Sequence, residues 1–152
     1  MKNTDLPVPL VTLGLAGIIP QAICLGVAIA SPDDRYFALS AGCCYAAVIL
    51  SFLGGLWWMA ALAGTERNAG SYIVAVVPSL VAWGAMLPWC FGWPWPGPSL
   101  IVLGLGLLVS PLVDRVLPSA ARLPPAWLRL RLAMAGGLGI TTLALVALAP
   151  SF

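Results

Sequence analysis

Residues 45–62 read YAAVILSFLGGLWWMAAL, and no charged residue interrupts the chain from Tyr36 to Ala63. A strand alternates apolar and polar side chains and stops after a handful of residues, so an unalternating run of this length reads as a helix. About 20 apolar residues cross a hydrocarbon core roughly 30 Å thick. This run is more than long enough, and its 28 residues predict tilt or extension beyond the lipid.

The rest of the chain has the same character. Of 152 residues, 61% are hydrophobic and 8% are charged, against about 25% charged in a soluble domain. The solvent these residues suit is a bilayer. The same length criterion predicts five spans, at 8–30, 36–63, 71–91, 98–116 and 127–149, separated by SPDDR (31–35), GTERN (64–68), GWPWPG (92–97) and LPSAARLPPA (117–126). Short connections make consecutive helices antiparallel neighbours. The expected fold is all-α: one integral membrane bundle of five transmembrane helices over residues 1–152.

Positive residues divide unevenly between the two sides of such a bundle. Lys2, Arg67, Arg115, Arg122, Arg129 and Arg131 fall on one side and Arg35 on the other. By the positive-inside rule the N-terminus is cytoplasmic and the C-terminus outside. A cell inner membrane is the expected location, in preference to a mitochondrial one, because the start lacks a basic, Ser-rich, amphipathic leader. Lys2, the apolar run and Ala28-Ile29-Ala30 imitate a signal peptide. The run exceeds an ordinary signal core, however, and is read as a retained span. WCFGWPWPG (89–97) is expected to form an outer aromatic belt, with Trp57, Trp58 and Trp127 near the inner surface.

Chemistry-bearing residues are few. There is no histidine, which removes the commonest metal ligand and general base. Cys24, Cys43, Cys44 and Cys90 lie in apolar runs without CxxC spacing and read as small buried hydrophobes. A net charge of +2 gives no footprint for nucleic acid. No catalytic, metal or cofactor residue is predicted, and the chain is expected not to be an enzyme. Chemistry at Ser51 or a cysteine lacks a nearby base.

Within the opening stretch, Ala47, Ser51 and Gly55 recur every four residues, with Gly54 beside them. Small residues at that spacing let helix backbones approach closely in lipid, so these four are the predicted packing seam. Ala22/Gly26, Gly42/Ala46, Ala133/Gly137 and Ala135/Gly139 repeat the pattern. The alternative for the same stretch is an apolar ligand pocket bounded by Tyr45, Ser51, Trp57 and Trp58. Pro20 and Pro78 are expected to kink their helices, freeing the carbonyls of Ala16 and Val74. Gln21 is the carboxamide inside a span and is expected to bond across helices. Asp114 cannot face its neighbour Arg115 on a helix and is expected to pair at the inner interface with Arg129 or Arg131.

Five stretches occur in order along nearly the whole chain: LGLAGIIP (13–20), YAAVILSFLGGLWW (45–58), VVPSLVAW (76–83), VDRVLP (113–118) and LPPAWLRLRL (123–132). Together they resemble the transmembrane protein 69-like family of small bacterial and mitochondrial membrane proteins, most specifically over Tyr45 to Gly55. The resemblance implies five helices and a membrane location, and no reaction, ligand or partner. The family places a basic residue after the glycines, where this chain has Trp57, Trp58 and Met59. The tryptophan-rich sensory and translocator proteins are similar only in composition and helix number.

The leading functional expectation is a non-enzymatic accessory, assembly or scaffold component that packs against other membrane proteins or itself. The alternative is a binder or carrier of a lipid, quinone, sterol-like or tetrapyrrole ligand held among the aromatics.

Overall fold

In a computed structural model of the chain, residues 6–64, 69–117 and 124–149 are described. The expectations for Lys2, Arg67 and Arg122 lie outside them. The described residues form six helices: α1 (Val8–Ala16), α2 (Ile19–Ala30), α3 (Arg35–Ala63), α4 (Ala69–Phe91), α5 (Gly97–Val116) and α6 (Pro125–Val146). Taken with its break, α1–α2 makes one crossing. Five helical segments are therefore long and apolar enough to cross a membrane.

The break corrects the expected first helix. Pro20 does not bend one continuous rod; it separates two, with Gly17 and Ile18 between them. Proline lacks the N–H that would bind the carbonyl of residue 16, so the ladder stops a turn earlier. Gly17 N then turns back to Leu13 O and Gly14 O, and Ile18 N to Leu15 O at 3.0 Å. Across the bundle, Tyr45 Oη donates to Gly17 O at 2.6 Å. Pro78 and Pro88 by contrast lie within an unbroken α4. Pro111, inside α5, takes the donor from Leu107 O, and Ser110 Oγ supplies another at 2.8 Å.

The turns follow from their residues. Ser31 Oγ donates to Asp34 Oδ2 at 2.8 Å, and Arg35 Nε reaches back to Ala28 O at 3.0 Å, covering the exposed end of α2. Gly92 adopts φ 67°, the left-handed conformation that ends a helix cheaply only in glycine. Its N–H binds Trp89 O, and Trp93 N binds Pro88 O at 2.9 Å, a Schellman closure of α4. Beyond it, Trp89 stacks on Trp95 with centroids 5.8 Å apart, and Phe91 lies 5.3 Å from Trp93. Trp89, Phe91 and Trp93 are exposed at that end of the bundle.

Helix α3 is the axis. It packs against α2, α4, α5 and α6, while α5–α6 and α3–α4 are the most extensive pairs and α2–α6 closes the ring. Its buried positions, from Ala38 and Leu39 through Cys43, Ala46 and Leu50 to Leu53, meet Leu100, Leu103, Leu107, Leu138 and Leu145 from α5 and α6, while Trp57 packs in a second cluster with Ala75 and Leu117. Helix α1 buries no residue and leans on α6. The outer surface is apolar, with Phe37, Val48, Phe52, Ile73, Trp83 and Ile140 all exposed, the composition hydrocarbon requires.

The packing seam is rotated from the one the spacing suggests. Ala47 and Gly54 are buried, but Gly55 is exposed, and a Cβ there would meet nothing within 4 Å. At Gly54 a Cβ would collide with the carbonyl oxygen of Ala75 on α4. Ser51 adds a hydrogen bond to Ser79 at 2.9 Å across the same contact. From Ala46 onward the buried positions on α3 run 46, 47, 50, 53, 54, 57 and 61. The true contact stripe thus keeps Gly54 and passes Gly55 by about 100°. Between α5 and α6, Gly139 fits against the carbonyl of Gly104 and the side chain of Leu108. Ala22 and Gly26 face outward, whereas Gly42 packs on Leu145. Cys44 and Cys90, expected in the interior, are exposed too; Cys43 is buried and Cys24 half-buried, and all four are free thiols.

Candidate functional site

The most polar point of the interior joins three helices. Asp114, on the last turns of α5, is 4% exposed. Its Oδ2 accepts from Arg131 Nε of α6 at 2.9 Å, and its Oδ1 accepts from Trp57 Nε1 of α3 at 2.6 Å. One carboxylate thus ties α3, α5 and α6 together.

Three particulars go beyond the expected pairing of Asp114 with Arg129 or Arg131. The pair is buried inside the bundle. Of the two candidate arginines only Arg131 reaches Asp114; Arg129, about 200° round the helix, is exposed and borders a recess with Leu6 and Val11. Trp57, expected at a lipid surface, is 5% exposed and donates to the carboxylate. Trp57 lies four residues before Ala61 and three after Gly54, on the face of α3 that the structure buries.

The expected pocket of Tyr45, Ser51, Trp57 and Trp58 is not a shared space. Tyr45 turns to Gly17 on one side of α3 and Ser51 to Ser79 on another. Trp57 points at Asp114, and Trp58, exposed, meets Tyr72 edge-on with centroids 5.1 Å apart. Tyr45, Trp57 and the Ser51/Trp58 pair lie roughly 120° apart round a 3.6-residue helix, so no single cavity can take all four.

A cavity does exist beside them. It measures about 550 Å³ and lies among α1, α3, α5 and α6, within the 300–1,000 Å³ range of small-molecule sites. Leu13 and Gly14 of α1 form one wall, Phe52 and Leu53 of α3 another, and Trp127 and Met134 of α6 a third. Leu13 and Phe52 are exposed, so the cavity is a groove open on the flank of the bundle. Apart from the indole of Trp127, the polar side chain in its lining is Arg131. That guanidinium is the same one that holds Asp114. Its Nη2 is buried without a hydrogen-bond partner among the described residues.

A smaller cavity of about 250 Å³ lies between α3, α4 and α5, lined by Trp57, Val77 and Val113 among others. Trp57–Asp114–Arg131 therefore runs from one cavity wall to the other. Elsewhere, Gln21 is fully buried and its Nε2 donates to Thr142 Oγ1 of α6 at 2.9 Å, an interhelical bond between residues 121 positions apart. Among the described residues no group of three His, Cys, Asp or Glu side chains could hold a metal ion.

A family model described as a protein of unknown function (DUF3429) matches residues 6–148. No curated protein and no solved structure matches the chain.

Proposed function

The chain belongs to the DUF3429 family, and on that premise we propose that it is a non-enzymatic multi-pass membrane protein that holds an apolar small molecule in the groove among α1, α3, α5 and α6. The observation that carries this reading is the groove itself: about 550 Å³, apolar walls from four helices and one buried guanidinium at its side. Ligand sites have this character, a mostly hydrophobic lining with few, placed polar groups. Within the family we place the chain with the transmembrane protein 69-like proteins, on the ordered stretches from LGLAGIIP to LPPAWLRLRL. We place it in a bacterial inner membrane, and its positive residues favour a cytoplasmic N-terminus and an outside C-terminus.

The test is native mass spectrometry of the full chain released from gentle detergent. Gly14 lies on the groove wall, and a Cβ there would stand 3.1 Å from the flexible thioether of Met134. Gly14→Leu therefore fills the space, and Leu10→Trp, on the exposed wall, is a second plug. The expected result is a small-molecule or lipid adduct on the wild type that both plugs remove. A bare wild-type mass would overturn the reading.

Association with other membrane proteins keeps one observation in its favour. Ala22 and Gly26 on α2 are exposed, one turn apart, with nothing within 4 Å of a Cβ at Gly26, and such a pair suits close approach of a foreign helix. Gly26→Leu should then abolish a higher band on blue-native gels; unchanged migration would dismiss it.

A further inference from the structure

Three features of Arg131 bear on what the groove takes. The residue is 3% exposed and forms part of the groove wall. Its charge is already met by Asp114 at 2.9 Å. Its Nη2 donor has no partner among the described residues. A buried donor left unmade is costly, and more so on a charged group. Water is a poor remedy, since a buried water needs two to four polar partners and the remaining walls are Leu, Ile, Phe, Met, Ala, Pro, Gly and the single indole of Trp127. An anionic head group is a poor one too. Arg131 and Asp114 sum to zero, so a carboxylate or phosphate would bring an uncompensated negative charge next to Asp114. What remains is an uncharged oxygen acceptor on an otherwise apolar molecule.

The walls add shape. Phe52 and Trp127 both line the groove and offer aromatic faces to a flat ring, while exposed Leu13 and Phe52 leave a way out for a tail into lipid. Resting on the groove being a ligand site, we propose that its occupant is a lipid-soluble quinone, its ring carbonyl accepting from the Arg131 guanidinium once the buried Nη2 turns out to the groove, and its isoprenoid-type tail leaving between α1 and α3. Asp114 and Trp57 are positioning residues: the carboxylate fixes the guanidinium, and the indole N–H fixes the carboxylate.

The experiment uses the full chain in phosphatidylcholine nanodiscs, which supply glycerolipid esters in large excess. The probe is decyl-benzoquinone, followed by quenching of tryptophan fluorescence, with Trp127→Phe identifying the groove component. Decylbenzene and decanoate are the competitors, matching the tail without the carbonyl and with a charge. The expected result is saturable quenching in the wild type, with either competitor at least ~10-fold weaker, the worth of one charge-assisted hydrogen bond. Asp114→Asn leaves Arg131 unbalanced and should shift preference toward decanoate. Asp114→Asn combined with Arg131→Met removes both charges, keeps an acceptor for Trp57, and should bind quinone and decylbenzene alike.

Equal displacement by decylbenzene in the wild type would overturn the carbonyl assignment and leave the groove as a ligand site. So would absent quinone quenching in a protein that still carries an adduct lost in Gly14→Leu, which would point to the glycerolipids. Absence of both quenching and adduct would remove the ligand site as well.

Discussion

Trp57 Nε1 and Asp114 Oδ1 lie 2.6 Å apart, both inside the bundle, and their bond joins the long central helix to the end of α5. A hydrogen bond to a charged group is worth about 1.5–3 kcal/mol. Trp57→Phe keeps most of the ring and deletes the donor, so unfolding in a mild detergent, titrated with a denaturing one, should show a loss of about that size. Trp58→Phe is the control, since Trp58 is exposed, and it should change stability by less than about 0.5 kcal/mol. Equal effects of the two substitutions would mean that the bond contributes nothing.

The two arginines of α6 should differ sharply. Arg131→Met strands a buried carboxylate, and breaking one side of such a pair costs about 3–5 kcal/mol. Arg129→Met removes an exposed charge and should cost less than about 0.5 kcal/mol. Adding Asp114→Asn to Arg131→Met should restore most of the loss, because the penalty belongs to the orphaned charge. The same titration reads all three, and failure of the second substitution to rescue the first would refute the pairing.

How far the sequence alone reaches is visible at this site. The five apolar runs place the helices within a few residues, because length and hydropathy answer to the solvent and need no tertiary detail. Asp114 and the arginines of the last helix are brought near one another by antiparallel order, yet choosing Arg131 over Arg129 requires the rotation of α6, which an apolar-all-round helix does not display. Trp57 misleads for a related reason: a tryptophan near the end of a span defaults to the lipid surface, and only the burial of the 46–50–53–57 face of α3 turns it inward. The groove is invisible in sequence, since its walls come from four helices.

Gly54 and Gly55 are adjacent and should not be equivalent. A methyl group at Gly54 meets the backbone oxygen of Ala75, which cannot swing aside as a side chain can; at Gly55 it meets open space. Gly54→Ala should cost about 1–3 kcal/mol through overpacking. Gly55→Ala should be neutral or stabilise by a few tenths of a kcal/mol, since alanine is the better helix former. Thermal unfolding followed by helical circular dichroism compares them, and a larger loss at Gly55 would show that the seam has been placed on the wrong face.

Gln21 and Thr142 form a second long-range polar contact, with the Gln21 Oε1 buried and unpartnered among the described residues. Removing one partner of a buried pair costs more than removing both. Thr142→Val should destabilise by about 0.6–2 kcal/mol, whereas Gln21→Met with Thr142→Val should lie closer to wild type than Thr142→Val alone. The coupling in a double-mutant cycle measures the bond, and strict additivity would show that the two side chains are independent.

The hinge at Gly17–Ile18 leaves α1 attached to the rest by its lean on α6 and by the bond from Tyr45 Oη to Gly17 O at 2.6 Å. Since α1 is one wall of the groove, its position sets how wide the groove stands. Tyr45→Phe deletes the tether while keeping the ring, so α1 should gain freedom and α2 should not. Spin labels at the exposed positions Val8 and Leu132, in a chain whose four cysteines are replaced by alanine, report the α1–α6 distance by pulsed electron resonance. The expected change is a broader distance distribution in Tyr45→Phe. Labels at Ile29 and Val48, exposed on α2 and α3, should keep their width, because Arg35 still ties the end of α2 through Ala28 O. Broadening at both pairs would mean that Tyr45 supports the bundle as a whole, and broadening at neither would mean that α6 alone holds α1 in place.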